Sequence, residues 1–315
     1  MKKFLVPAAI AVAMTSAPAL AADLGGKMVT KAPAPVVVSP WDIAFGAAIA
    51  SDYNFRGISQ SDRSFSPSAY FEPRYNVSKN LQFYAGIGGL GVDLASNPSA
   101  EIDLYGGVRP TFGALALDLG FIYYWYPSEK GHSADPSQAP AYPNGNTVLP
   151  NTDFWELYAK ATYTVNDNFA IGGNIYWSPS WLKSGADGTY ASVTAKYTGA
   201  PLSNGWGWFV SGEFGHYWLG TPDADPFVFT APVVDLPNYS TWNAGLAFTY
   251  KVFTLDFRYY DTDLSKEECN YLTADPSAVG GGTPIPGNAT GLRSNWCSAA
   301  FIVKLSADLT LDSLK

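Results

Sequence analysis

The sequence predicts an all-β fold: a transmembrane, antiparallel, up-and-down β-barrel of about twelve strands. Three observations predict it. An export signal heads the chain. Apolar and polar residues then alternate with period two in twelve separate segments. Tryptophans lie on the apolar face of those segments, mostly near their ends. Composition agrees: aromatics are 15 %, with ten Trp, and charged residues are also 15 %, where about 25 % is usual for a soluble domain.

The N-terminal elements come first. Lys2 and Lys3 precede an apolar run, Phe4 to Met14, too short to anchor in a bilayer. Ala19-Leu20-Ala21 supplies a small-x-small cleavage site, so residues 1–21 read as a signal peptide. Residues 22–40 carry Pro33, Pro35 and Pro40 and read as a Pro/Ala-rich periplasmic leader. The barrel is expected over 41–308, with a tail at 309–315. The expected location is the bacterial outer membrane. The expected partners are its lipid and lipopolysaccharide, the barrel assembly machinery, and small solutes; oligomeric state is left open.

The first strand alternates from Trp41 to Arg56. Eleven further segments follow: 65–77, 81–92, 100–109, 114–126, 154–165, 169–178, 188–198, 206–219, 240–250, 253–260 and 296–308. Short turns alternate with mostly longer loops, the pattern of a barrel with turns facing the periplasm and loops facing out. Charge parity is a stricter check. The acids Asp42, Asp52, Glu72, Glu101, Asp103, Asp118, Glu156, Glu213 and Asp256 all oppose the apolar face. So do the bases Arg56, Arg74, Arg109, Lys160, Lys196, Arg258 and Lys304. A soluble sandwich has the same parity but wants its largest side chains mid-strand. Trp41, Trp125, Trp155, Trp177, Trp206, Trp208, Trp218 and Trp242 instead lie mostly near segment ends, where a bilayer interface wants them.

The inward charges support two functions. As pore-lining groups they suit a narrow passive diffusion channel for small neutral or cationic solutes. The pore-lining candidates are Asp52, Arg56, Glu72, Arg74, Glu101, Asp103, Arg109, Glu156, Lys160, Glu213, Asp256 and Arg258. Paired with one another, the same residues suit a filled structural barrel whose loops meet a partner or the envelope. Arg56 is read either as lining the outer mouth or as pairing with an interior carboxylate such as Asp52 or one on an adjacent strand. The loops hold fourteen acidic against five basic residues. An acidic rim favours cations and argues against nucleic acid.

Enzyme chemistry is not expected. His132 falls in a long loop, and His216 falls on the apolar face beside Trp218 with no Ser two residues away. No cofactor motif appears. Asp223-x-Asp225 and Glu267-Glu268 lack the spacing of a dedicated cation loop, so no metal is expected. Cys269 and Cys297 are expected to form a disulfide in an oxidising compartment, clamping the largest loop to the start of the last strand.

The stretch Ser51-Asp-Tyr-Asn-Phe-Arg-Gly-Ile-Ser-Gln-Ser-Asp62 resembles the opening motif of the Gcw_chp family of conserved hypothetical proteobacterial outer-membrane proteins. The similarity is read from about Trp41 to Ser306. The leader from Ala22 to Pro35 resembles those of alphaproteobacterial, rhizobium-type outer-membrane proteins. The resemblance implies a fold and a location and brings no functional residues. One feature departs from outer-membrane proteins generally, many of which end in an aromatic residue: the last aromatic here is Phe301.

Overall fold

A computed structural model describes residues 40–133, 135, 137–203, 205–224, 233–311 and 314. The signal peptide and the leader up to residue 39 lie outside the described residues. Twelve strands close into one barrel. They are β1 Trp41–Ala50, β2 Ser66–Ser78, β3 Leu81–Leu90, β4 Glu101–Phe112, β5 Leu115–Trp125 and β6 Phe154–Thr164. They continue as β7 Phe169–Ser178, β8 Gly188–Thr198, β9 Gly207–Leu219, β10 Tyr239–Tyr250, β11 Phe253–Thr262 and β12 Ala300–Thr310. Each pairs antiparallel with the next, and β1 pairs with β12 to close the ring. Closure satisfies every edge, which a bilayer requires.

The period-two pattern sorts the side chains as expected. Phe71, Phe83, Ile175, Val193, Phe214 and Phe301 stand exposed on the outer wall. In water that wall would be one apolar patch around the molecule; in lipid it is solvated. Two aromatic belts bound it. Trp41 stacks edge-on to Tyr75, and Trp206 on Tyr250, at the end with short turns. Trp155 contacts Phe121 and Trp177 at the end with long loops. From Trp208 to Trp218 along β9, ten residues at ~3.3 Å rise and ~40° tilt span about 25 Å, the height of a barrel's apolar band.

Three expectations need correction. The first strand leaves the wall at Ala50, six residues before Arg56. Residues 54–59 fold instead into a short hairpin, with Asn54 paired to Ser59 and Phe55 to Ile58. Arg56 and Gly57 form its two-residue turn with φ of 50° and 90°. Two consecutive positive φ values mark a tight hairpin whose twist matches its strands. The last strand begins at Ala300, because Trp296 and Cys297 are held in the loop before it. It runs on to Thr310, because Leu309 and Thr310 still find partners in Phe45 and Ala44.

The largest loop also contains a helix that periodicity did not reveal, α1 Lys266–Thr273. Its start is a capping box. Ser265 Oγ accepts from the Glu268 N–H, and the Glu268 carboxylate accepts from the Ser265 N–H.

Candidate functional site: the plugged lumen

The hairpin at 54–59 does not project outward. It folds into the loop-side half of the barrel, where Tyr53, Asn54, Arg56, Gly57, Ile58 and Ser59 are all buried. Gly57 sits against the wall so closely that a Cβ would lie 2.2 Å from the methyl of Thr262 and 2.6 Å from Oγ1 of Thr241.

Arg56 is 2 % exposed. Its guanidinium spans the lumen to Glu156 on β6, five strands around the ring. Nη1 and Nη2 each donate to one carboxylate oxygen at 2.7 Å. Tyr124 also donates to Glu156 Oε2, at 3.0 Å. Four rings face the guanidinium carbon: Phe55 at 4.5 Å, Tyr176 at 4.7 Å, Tyr190 at 4.6 Å and Tyr217 at 4.8 Å. A bidentate ion pair and cation–π contacts thus hold one buried charge.

The rings come from a row of inward tyrosines. Tyr158 pairs with Tyr176, Tyr176 with Tyr190, Tyr190 with Tyr217, and Tyr217 with Tyr239. Successive centroids are 5.5–6.3 Å apart. The rings need room in a narrow lumen, and glycine provides it. A Cβ on Gly215 would lie 2.2 Å from the Tyr190 hydroxyl, and one on Gly120 2.5 Å from the Tyr158 ring. The row was legible: these tyrosines share the parity of Glu156, Lys160, Lys196 and Glu213.

The remaining candidates sort into two layers. In the loop-side layer Asp52 accepts from Ser59 and Ser61 at 2.6 and 3.0 Å, and Arg63 lies 3.6 Å away. So Arg56 bonds neither Asp52 nor an adjacent strand, as was expected of a paired Arg56. Glu101 accepts from Tyr53 and Tyr126 at 2.6 and 2.8 Å. Asp103 is fully buried, and neither carboxylate oxygen has a hydrogen-bond partner. These groups are packed into the plug rather than arranged around an open bore.

In the turn-side layer the charges pair but are mostly half-buried. Glu72 holds Arg74 and Arg109 at 2.6 and 2.8 Å. Arg109 also reaches Asp118 at 3.3 Å and stacks on Tyr84 at 3.6 Å. Lys160 sits over Tyr158 at 4.3 Å. Across the lumen Arg258 bonds Asp256, Asn243 and Ser211, while Glu213 accepts from Tyr190.

The last loop covers the plug. Cys269 of α1 is bonded to Cys297, which lies three residues before β12 rather than within it. Trp296 donates its indole N–H to Asp62 at 2.7 Å, and Arg63 donates to the carbonyls of Asn295 and Trp296. The first loop is therefore tied to the disulfide-bonded loop. Of the cation-loop pairs weighed from sequence, Glu268 is spent on the helix cap, Glu267 lies 3.8 Å from Arg293, and Asp225 lies outside the described residues. Among the described residues no metal-binding cluster forms.

The two histidines are far less coupled to the lumen. His132 stacks on Tyr142 in its loop. His216 packs against Trp218 on the outer face with the rings tilted at 59°, and its Nδ1 lies 3.0 Å from the hydroxyl of Ser240 on the next strand. That serine was missed, because it lies across the ladder rather than along the strand. The nearby Asp263 carboxylate accepts from the Ser240 backbone N–H instead, so it does not orient the imidazole as a triad acid would.

A family model described as "Bacterial protein of unknown function (Gcw_chp)" matches residues 35–279. The chain belongs to the Gcw_chp family. The match takes in the hairpin motif and eleven strands, and ends inside the last loop, short of the Ser306 read from sequence. No curated protein sequence matches the chain. Several solved barrels are loosely similar. One is an outer membrane channel from Pseudomonas putida F1, 10 % identical with a TM-score of 0.44, covering 86 % of this chain and 96 % of that one. A FadL homologue from Pseudomonas aeruginosa is 11 % identical with a TM-score of 0.44, covering 86 % and 90 %. The NanC porin is 8 % identical with a TM-score of 0.41, covering 85 % and 100 %.

Proposed function

We propose that this Gcw_chp protein resides in the bacterial outer membrane, long loops outward, as a barrel held shut by its own first loop. Small neutral or cationic solutes pass only when the 54–59 hairpin leaves the lumen. The apolar band of about 25 Å between two aromatic belts supports the location. The barrel's partners in this setting are the lipid around that band, lipopolysaccharide at the loops and the machinery that inserts it.

One observation carries the closed state: Arg56, buried and bonded to Glu156 across the lumen. An open diffusion pore would leave such groups hydrated. The unpaired Asp103 carboxylate and the acidic loops support a preference for cations once the path is open. A second reading, a permanently filled structural barrel, is supported by the disulfide-bonded loop that covers the hairpin. Planar-bilayer conductance separates the two. Wild type is expected to be silent, and a barrel lacking residues 53–60 is expected to conduct with cation preference. A folded deletion variant that never conducts leaves the structural barrel. An open wild-type pore refutes the closed state.

A further inference from the structure

We infer that the barrel wall carries a preformed binding site for a flat organic cation of the guanidinium or amidinium class, which Arg56 occupies in the closed state. The inference deepens the plug reading, but the site itself stands on wall residues alone. Glu156, Tyr176, Tyr190 and Tyr217 lie on four consecutive strands, β6 to β9, fixed by the ladder register of Tyr176, Tyr190 and Tyr217. Tyr124 from β5 holds the carboxylate in place. Only Phe55 and Arg56 come from the hairpin. Removing them leaves a carboxylate facing three tyrosine rings, in a wall that the sheet keeps rigid.

The geometry names the ligand class. Both carboxylate oxygens take one N–H each from a single planar group, a fit for a forked donor and not for a spherical ion. Rings at 4.6–4.8 Å from the central carbon favour a delocalised, weakly hydrated cation. Arg56 is an imperfect occupant. It adopts a φ of 50°, a conformation non-glycine residues seldom take, and its buried Nε has no hydrogen-bond partner. A free solute of the same class escapes the backbone constraint and competes with Arg56 for the carboxylate.

The test uses the full-length barrel refolded in detergent, with Arg56→Ala emptying the site and methylguanidinium as ligand. Calorimetry should show Arg56→Ala binding methylguanidinium, with a thermal midpoint that rises with its concentration. Adding Glu156→Gln should weaken binding at least tenfold. Methylammonium should bind at least tenfold more weakly than methylguanidinium, and wild type should bind neither at the same concentration. A folded Arg56→Ala barrel that ignores methylguanidinium overturns the inference. So does equal binding with and without Glu156, or equal binding of methylammonium. If Arg56→Ala refolds poorly, millimolar methylguanidinium should restore the yield where methylammonium does not; failure of that rescue also overturns it. None of these outcomes depends on whether wild type conducts, so the site and the plug fail separately.

Discussion

Glu156→Gln tests the closed state most directly. The substitution keeps the size of the side chain and removes its charge. Arg56, 2 % exposed, keeps its aromatic contacts but loses the carboxylate it bonds. Removing one partner of a buried ion pair costs about 3–5 kcal/mol, because the other charge is left uncompensated. At 1.36 kcal/mol per decade, the ratio of seated to unseated hairpin falls by roughly two to four orders of magnitude. The ladders that close the sheet are backbone bonds, and Tyr124 can still donate to the amide oxygen of a glutamine, so the barrel should stay closed as a sheet. The assay is paired: heat modifiability on gels reports the sheet, and planar-bilayer recordings report the lumen. Expected is an intact barrel with frequent openings where wild type has none. Arg56→Gln should open it similarly, and the double variant should cost less than the two single changes together, since the pair is lost only once. A Glu156→Gln barrel as silent and as heat-resistant as wild type refutes the latch.

Four further outcomes follow from the same geometry. Gly57→Ala should unseat the hairpin without touching any charge, because its Cβ would strike Thr262 and Thr241; the readout is the same conductance. Asp103→Leu replaces a buried carboxyl group with no hydrogen-bond partners by an apolar side chain of similar size and should raise unfolding stability by about 1–3 kcal/mol; a drop in denaturant midpoint contradicts this. Replacing Cys269 and Cys297 by Ser frees a loop of 28 residues, worth about 3–4 kcal/mol by chain entropy, and should make the 263–299 loop a protease target while the strands resist. Burial pushes the Glu129 carboxyl up, although Thr152 donates to it through both N–H and hydroxyl. A raised folded-state value means stability present at low pH and lost as pH rises through it. Protease sensitivity of the 126–153 loop should therefore increase with pH, and Glu129→Gln should flatten that dependence.

The sequence by itself determined the wall. Period two is a local property, so each strand from Trp41 to Thr310 declares its lipid face through residues such as Phe71, Ile175 and Phe214. The opposite parity carried every charge that the structure turns inward. Tryptophan placement declared the two interfaces for the same local reason. The capping box at Ser265 and Glu268 and the tyrosines paired with Glu156's parity were equally local and readable. Tertiary structure alone decided what fills the barrel. The alternation of residues 41–56 reads as one strand, yet the chain turns at Arg56-Gly57 and enters the lumen. Whether Arg56 meets Asp52 or Glu156 depends on closure of the ring, which sets Glu156 on the wall against a hairpin 100 positions earlier in the chain. The meeting of Ser240 with His216 follows from the strand register in the same way. Periodicity reports which side a residue faces. Only the closed ring reports what stands opposite, and that separates the two readings the inward charges allowed, an open bore and a filled barrel.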